Sequence, residues 1–156
     1  MIKTLIFITA LIFSSSCAYA GEIGQIKITA KGNSIIASLE DNAASRAFYN
    51  SLPVTLNMRD LYSREMCCFM TKPLPTSQLT ASSYNVGDII YWPPRHCLVI
   101  LYEQNGEKFQ RQHMGHIDYG VEIFKGMGDA LVTFEKLELT PSNDPGIAAP
   151  EKIEFE

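Results

Sequence analysis

The sequence contains no Cys-x-x-Cys pair, which removes the usual scaffold of a structural zinc site. It has no Gly-x-Ser-x-Gly elbow and no Gly-rich phosphate loop, so neither common hydrolase nor nucleotide-binding chemistry is signalled. Basic residues are the minority, 13 against 17 acidic, for a net charge of −4. Without a basic stripe, nucleic acid and anionic membranes are poor partners. Internal repeats are absent. The longest apolar run, Leu5 to Phe13, falls short of the ~20 residues that span a bilayer.

That run is informative in another way. Lys3 precedes it, and small residues leading to Ala18-Tyr19-Ala20 and Gly21 follow it. A charged start, a short apolar stretch and an A-x-A site together make a secretory signal. The competing readings are a buried N-terminal strand, a membrane anchor or a lipoprotein leader using Cys17; the last has Ser14 where a Leu is expected. Cleavage after Ala20 takes 20 residues from 156 and leaves 136, enough for one domain with its own core. Loss of Lys3 leaves 12 basic residues against 17 acids, a net charge of −5. The expected destination is the periplasm, or the medium beyond, with no membrane attachment after cleavage.

Three cysteines remain: Cys67, Cys68 and Cys97. An oxidising compartment permits a disulfide, and an odd number leaves one thiol over. Neighbours on a strand point to opposite faces, so only one of Cys67 and Cys68 can face Cys97. All three as small buried hydrophobes is the equal alternative.

The rest reads as short strands. Ile26 and Ile28 alternate with Lys27 and Thr29; Gly32-Asn33 signals a turn; Ile35 to Leu39 continues as a second strand. Asp41 is placed to cap a helix whose face is Ala44, Phe48, Ser51 and Leu52, stopped by Pro53. Val54, Leu56 and Met58 alternate; Met66 to Met70 is apolar; Pro73 to Ser83 reads as a long loop. Val86-Gly87-Asp88 leads into Ile89 to Trp92, and Pro93 to His96 reverses the chain. Cys97 to Tyr102 is the most apolar strand and the expected centre, and Asn105-Gly106 signals a hairpin. Val121 to Phe124 is a short helix or turn, and Ala130 to Leu137 a last strand. The expected organisation is a leader at 1–20, a barrel or sandwich domain at 21–139 and a Pro-rich tail at 140–156.

Gly115, Ile117, Gly120, Val121 and Ile123 resemble the cyclophilin pattern G-x-(I/V)-x-x-G-(M/L)-x-(I/V). The order of Leu39-Glu40-Asp41-Asn42-Ala43-Ala44, Leu52-Pro53-Val54-Thr55-Leu56, Gly87-Asp88-Ile89-Ile90-Tyr91 and Ile100-Leu101-Tyr102 is similar to the small prokaryotic cyclophilin-like domains, a family of undefined role. The resemblance covers Ile26 to Leu137. It implies a mainly-β, closed eight-stranded barrel with about two short helices. Cyclophilins are peptidyl-prolyl isomerases, but their F-H-R strand, Q-x-G-D segment and W-L-D-G stretch have no counterpart here, so no catalytic residue carries over.

Trp92 and Arg95 flank the Pro93-Pro94 reversal; with Tyr102 they are the candidate ligand mouth, the indole giving apolar contact and the guanidinium holding a carboxylate or carbonyl. The competing reading is a surface turn whose Trp packs on the barrel. Arg111 would polarise a prolyl carbonyl if it reached a groove. His113 and His116, with Met114 between and His96 within possible approach, are the metal candidates, though solvent-exposed loop histidines are the commoner explanation. The expected function is a non-catalytic module for a peptide or small-molecule ligand, with no cofactor; the alternative is a prolyl isomerase with a divergent site. Oligomeric state is not readable.

Overall fold

The computed structural model describes residues 21–138. The expected leader at 1–20 and tail at 140–156 lie outside the described residues. Two strands open the domain: β1 (Glu22–Ala30) and β2 (Asn33–Glu40). Alternation works as expected, with Ile26, Ile28 and Ala30 of β1 and Ile35, Ala37 and Leu39 of β2 buried. The turn between them is Lys31-Gly32, both left-handed, with Asn33 already paired to Ala30.

Helix α1 (Ala43–Asn50) follows. Its cap is Asn42, not Asp41: the Asn42 side chain accepts from the Ser45 amide at 3.0 Å and donates to the His113 carbonyl at 2.9 Å. Asp41 is one residue too early and instead pairs with Arg46 on the surface. Ala44, Phe48 and Leu52 face the core as expected, whereas Ser51 is exposed and closes the helix.

The remaining strands are β3 (Val54–Leu61), β4 (Glu65–Phe69), β5 (Leu79–Ser83), β6 (Asp88–Trp92), β7 (Cys97–Leu101), β8 (Lys108–His116) and β9 (Ala130–Lys136). Eight of them form a ring in the order β2-β1-β9-β3-β4-β7-β6-β8, every pair antiparallel. The ring shuts where Ser38 and Leu39 meet His116 and Gly115. A closed ring leaves few unpaired strand edges. The ninth strand, β5, lies beside β8 outside the ring and occupies part of the stretch expected to be loop.

Among the described residues there is one α-helix together with short 3-10 turns, roughly in line with the two or so short helices expected. Val121–Phe124 and Pro93–Arg95 are single 3-10 turns. The first is too short for a helical ladder and closes through i→i+3 bonds, Ile123 to Gly120 and Lys125 to Glu122. Asn105-Gly106 does turn the chain, with Gly106 left-handed, but it makes no hairpin. The strands on either side, β7 and β8, are separated by β6. Among the described residues no helix is long and apolar enough to cross a membrane.

Strand β7 is central, as its composition suggests, and it is buried on both faces. Leu98 and Ile100 enter the barrel interior with Phe48, Met58 and Phe134. Cys97, Val99 and Leu101 point outward into a second apolar cluster with Cys67, Tyr84 and Ile90. That outer cluster supplies the floor of the site described next.

Candidate functional site

Strands β4, β6 and β7 each send alternate residues outward. Cys67, Ile90, Cys97 and Val99 thus form an apolar floor on the outside of the barrel. Aromatic rings stand around it: Tyr62 from the β3–β4 turn, Phe69 from the end of β4, Trp92 from the end of β6 and Phe109 from β8. The hollow they bound is about 400 Å³, within the range of small-molecule sites.

Charges line its rim unequally. Arg64 is held on one side: Nη2 and Nε donate to Glu65 at 2.9 and 3.2 Å, and Nη1 donates to Glu107 at 2.7 Å. The Arg64 bond, with one from Asn105, holds the Glu107 carboxyl below its usual range; the largest cause is the Asn105 amide. Arg95 lies over the Phe69 ring at 6.0 Å, and Lys108 also lines the hollow. Neither has an ion-pair partner among the described residues.

The two turns that frame the hollow are conformationally costly. Tyr62 and Ser63 are both left-handed, at φ 59° and 50°, and Arg64 N returns to Leu61 O. A turn of this hand favours Asn-Gly, yet a Tyr that is 81 % exposed occupies it. His96 is also left-handed, φ 51°, where the Pro93–Arg95 turn feeds β7. Each such residue costs roughly 1–2 kcal/mol. Strain of this kind collects at functional sites.

Trp92 and Arg95, the residues on either side of the proline pair, both line the hollow. Tyr102 does not. It is buried, and its hydroxyl donates to Asp60 at 2.5 Å. Burial, helped by that acceptor, pushes the phenol well above its usual range. Arg111 is adjacent but spoken for: Nη1 donates to Ser82 O at 2.7 Å and Nη2 to Ser83 O at 2.8 Å, tying β5 to β8. Its guanidinium lies over Phe109 at 5.5 Å, and its buried Nε has no partner. Tyr62, Phe69 and Phe109 went unread in the sequence. Phe69 carried a signal, since it shares the period-two face of Cys67 in a run where both faces are apolar.

A second constellation sits at the seam of the ring. His116 Nδ1 meets Asp88 Oδ1 at 2.9 Å, and His113 Nε2 meets the same oxygen at 3.3 Å. His113 Nδ1 meets Glu40 Oε1 at 2.9 Å. The two histidines are thus brought together, on a buried carboxylate. His96 is at the opposite end of β6 and does not join them. Among the described residues no group of three or more His, Cys, Asp or Glu is set to hold a metal ion. Burial alone would raise Asp88, but hydrogen bonds from His113, the Asn85 amide and His116 outweigh it and hold the acid below its usual range. Burial likewise opposes the charged form of His113, but Asp88 and Glu40 win and raise it.

A family model described as the cyclophilin-like family matches residues 28–135. No curated protein matches the chain. The solution structure of a hypothetical protein from Archaeoglobus fulgidus superposes with a TM-score of 0.53 at 15 % identity, covering 73 % of this chain and 95 % of that one. At that identity the likeness concerns the fold.

Proposed function

The chain belongs to the cyclophilin-like family, and from that premise we propose that it is an exported binding module. Its outer hollow takes an apolar side chain of a peptide or small ligand whose carboxylate or carbonyl meets Arg95 or Lys108. The observation that carries this reading is the hollow itself: an apolar floor, aromatic walls and two cations without ion-pair partners among the described residues. Aromatics offer large contact area with little entropy to lose, and a guanidinium binds a carboxylate through two parallel hydrogen bonds. The left-handed turns at both ends support the same reading, because the tight β3–β4 hairpin presents the exposed Tyr62 ring at the rim of the hollow.

Trp92 is the single tryptophan of the chain, so its emission reports on this hollow alone. Titration of the protein with a panel of carboxylate-bearing peptides and metabolites is expected to give a saturable change in emission. Arg95→Ala is expected to weaken the best binder about tenfold, close to 1.4 kcal/mol. A broad panel that leaves emission and melting temperature unmoved would rule the reading out.

The second reading is prolyl isomerisation at a divergent site. It is favoured by one arrangement: Arg95 at the rim of an apolar floor, where a guanidinium could polarise an amide carbonyl while the twisted bond sits away from water. A proline-peptide isomerisation assay separates the two, and rates equal to the uncatalysed control leave only the binding module.

A further inference from the structure

The floor of the hollow carries two thiols that the binding reading does not use. Cys67 on β4 lies opposite Val99, and Cys97 on β7 lies opposite Phe69, so the two cysteines are diagonal neighbours on adjacent antiparallel strands. Both point outward, both are almost fully buried in the outer cluster, and both line the hollow. Cys97 Sγ donates to the Arg95 carbonyl at 3.6 Å, and the neighbouring Cys97 thiol adds to the burial that holds Cys67 above its usual range. Cys68, one residue on, faces the other way and packs against the barrel interior opposite Leu98. Of the two neighbours, only Cys67 therefore shares a face with Cys97. All three cysteines are free here.

We propose that Cys67 and Cys97 are a thiol–disulfide exchange site on the groove floor, closed by small disulfides such as glutathione disulfide that enter through the hollow. In the first step the Cys97 thiolate attacks one sulfur of glutathione disulfide. An S–S bond forms to Cys97, the original S–S bond breaks, and one glutathione thiolate leaves. In the second step the Cys67 thiolate attacks the Cys97 sulfur, expels the second glutathione and completes the Cys67–Cys97 bond. The two cysteines are oxidised together by two electrons, one glutathione disulfide is reduced to two glutathiones, and the two cysteine protons pass to the leaving thiolates. The thiolate is the attacking form, and burial pushes both thiols above their usual range. Exchange is therefore slow at neutral pH and quickens as pH rises. This inference concerns the floor of the hollow and stands apart from the identity of any ligand.

The test uses the native protein incubated with glutathione disulfide at pH 8.5, read by intact mass and by peptide mapping under non-reducing conditions. The expected product has lost two hydrogens, links the Cys67 and Cys97 peptides, and leaves Cys68 open to alkylation after unfolding. Trp92 stands directly opposite Cys97, so closure is also expected to quench its emission, and dithiothreitol to restore it. Cys68→Ser should close like the wild type, whereas Cys67→Ser should stop at a mixed disulfide on Cys97. A link through Cys68, or three thiols still free after prolonged oxidation at a pH where free cysteine reacts, overturns the proposal.

Discussion

Two imidazoles share one oxygen of Asp88, and stability depends on pH from both sides as a result. His113 titrates above its ordinary value of 6.5. Its contribution is complete below that value and is lost as pH rises through the higher, folded one. Asp88 titrates below its ordinary value of 3.8. Its contribution is complete above that value and is lost as pH falls through the lower one. Both are therefore in force between about pH 4 and 6.5, and chemical denaturation across pH is expected to peak there. Asp88→Asn is expected to cost on the order of 1–3 kcal/mol and to bring the imidazole titration of His113, followed by NMR, down from its raised value. The residues were visible in the sequence, but their meeting was not. Positions 113 and 116 differ by an odd number and fall on opposite faces of a regular strand. The register slips between Ile89–Gly115 and Ile90–His113, leaving Met114 as an extra residue, and this bulge turns both rings to one side. No glycine occupies the bulged position to announce it. Asp41 and Asn42 pose the same difficulty at smaller scale, since either residue type caps a helix and only the tertiary bond to the His113 carbonyl decides between them.

Among the elements, the contact of β2 with β8 is the shortest in the ring and the least tolerant. It pairs two residues on each strand. At Gly115 a side chain would run into the backbone oxygen of Ser38, with Leu39 Cδ2 only 2.9 Å away. Gly115→Ala is accordingly expected to destabilise the domain by about 1–3 kcal/mol. Amide hydrogen exchange should rise first at Ser38, Leu39 and His116, and a uniform rise over all strands would contradict a local seam effect. Pairing of this kind is not encoded locally in the sequence. The alternation of Ile26, Ile28, Val54 and Met58 follows from strand geometry and was legible, as was the two-sided burial of β7 from its unbroken apolar run. Asn105-Gly106 encodes a local turn equally well, but a turn signal does not say which strand will lie alongside. Strand β6 had already taken that place through the shorter Pro93–His96 reversal. Leu79 to Ser83 lacked a signal altogether: it buries none of its five residues, and β5 exists because β8 offers hydrogen bonds and Arg111 clamps its carbonyls.

Across the whole molecule, the last strand pairs with the first. β9 lies between β1 and β3 and places Val132 and Phe134 in the interior with no exposure. Ending the chain before Ala130 removes that strand, uncovers an edge on both neighbours and forfeits burial worth roughly 1.5–3 kcal/mol for each large apolar side chain. Total stabilities run about 5–15 kcal/mol, so the shortened chain is expected to lose cooperative melting in calorimetry; a sharp transition within a few degrees of the parent would count against a single closed unit. The closed mainly-β architecture was legible because many short alternating runs separated by turns leave few other ways to bury one face each. The hollow was only half legible, because it lies on the outside of the barrel and draws on strands mostly far apart in the chain. The adjacency of β1 and β9 has one further consequence. Leu137 N donates to Gln25 O at 2.9 Å, so the two ends of the described domain leave from neighbouring positions on the ring. Around that circle no strand is intrinsically first: a short linker from Glu138 to Gly21, with the chain reopened at the exposed Lys31-Gly32 corner, yields a circular permutant with every strand neighbour of the parent retained.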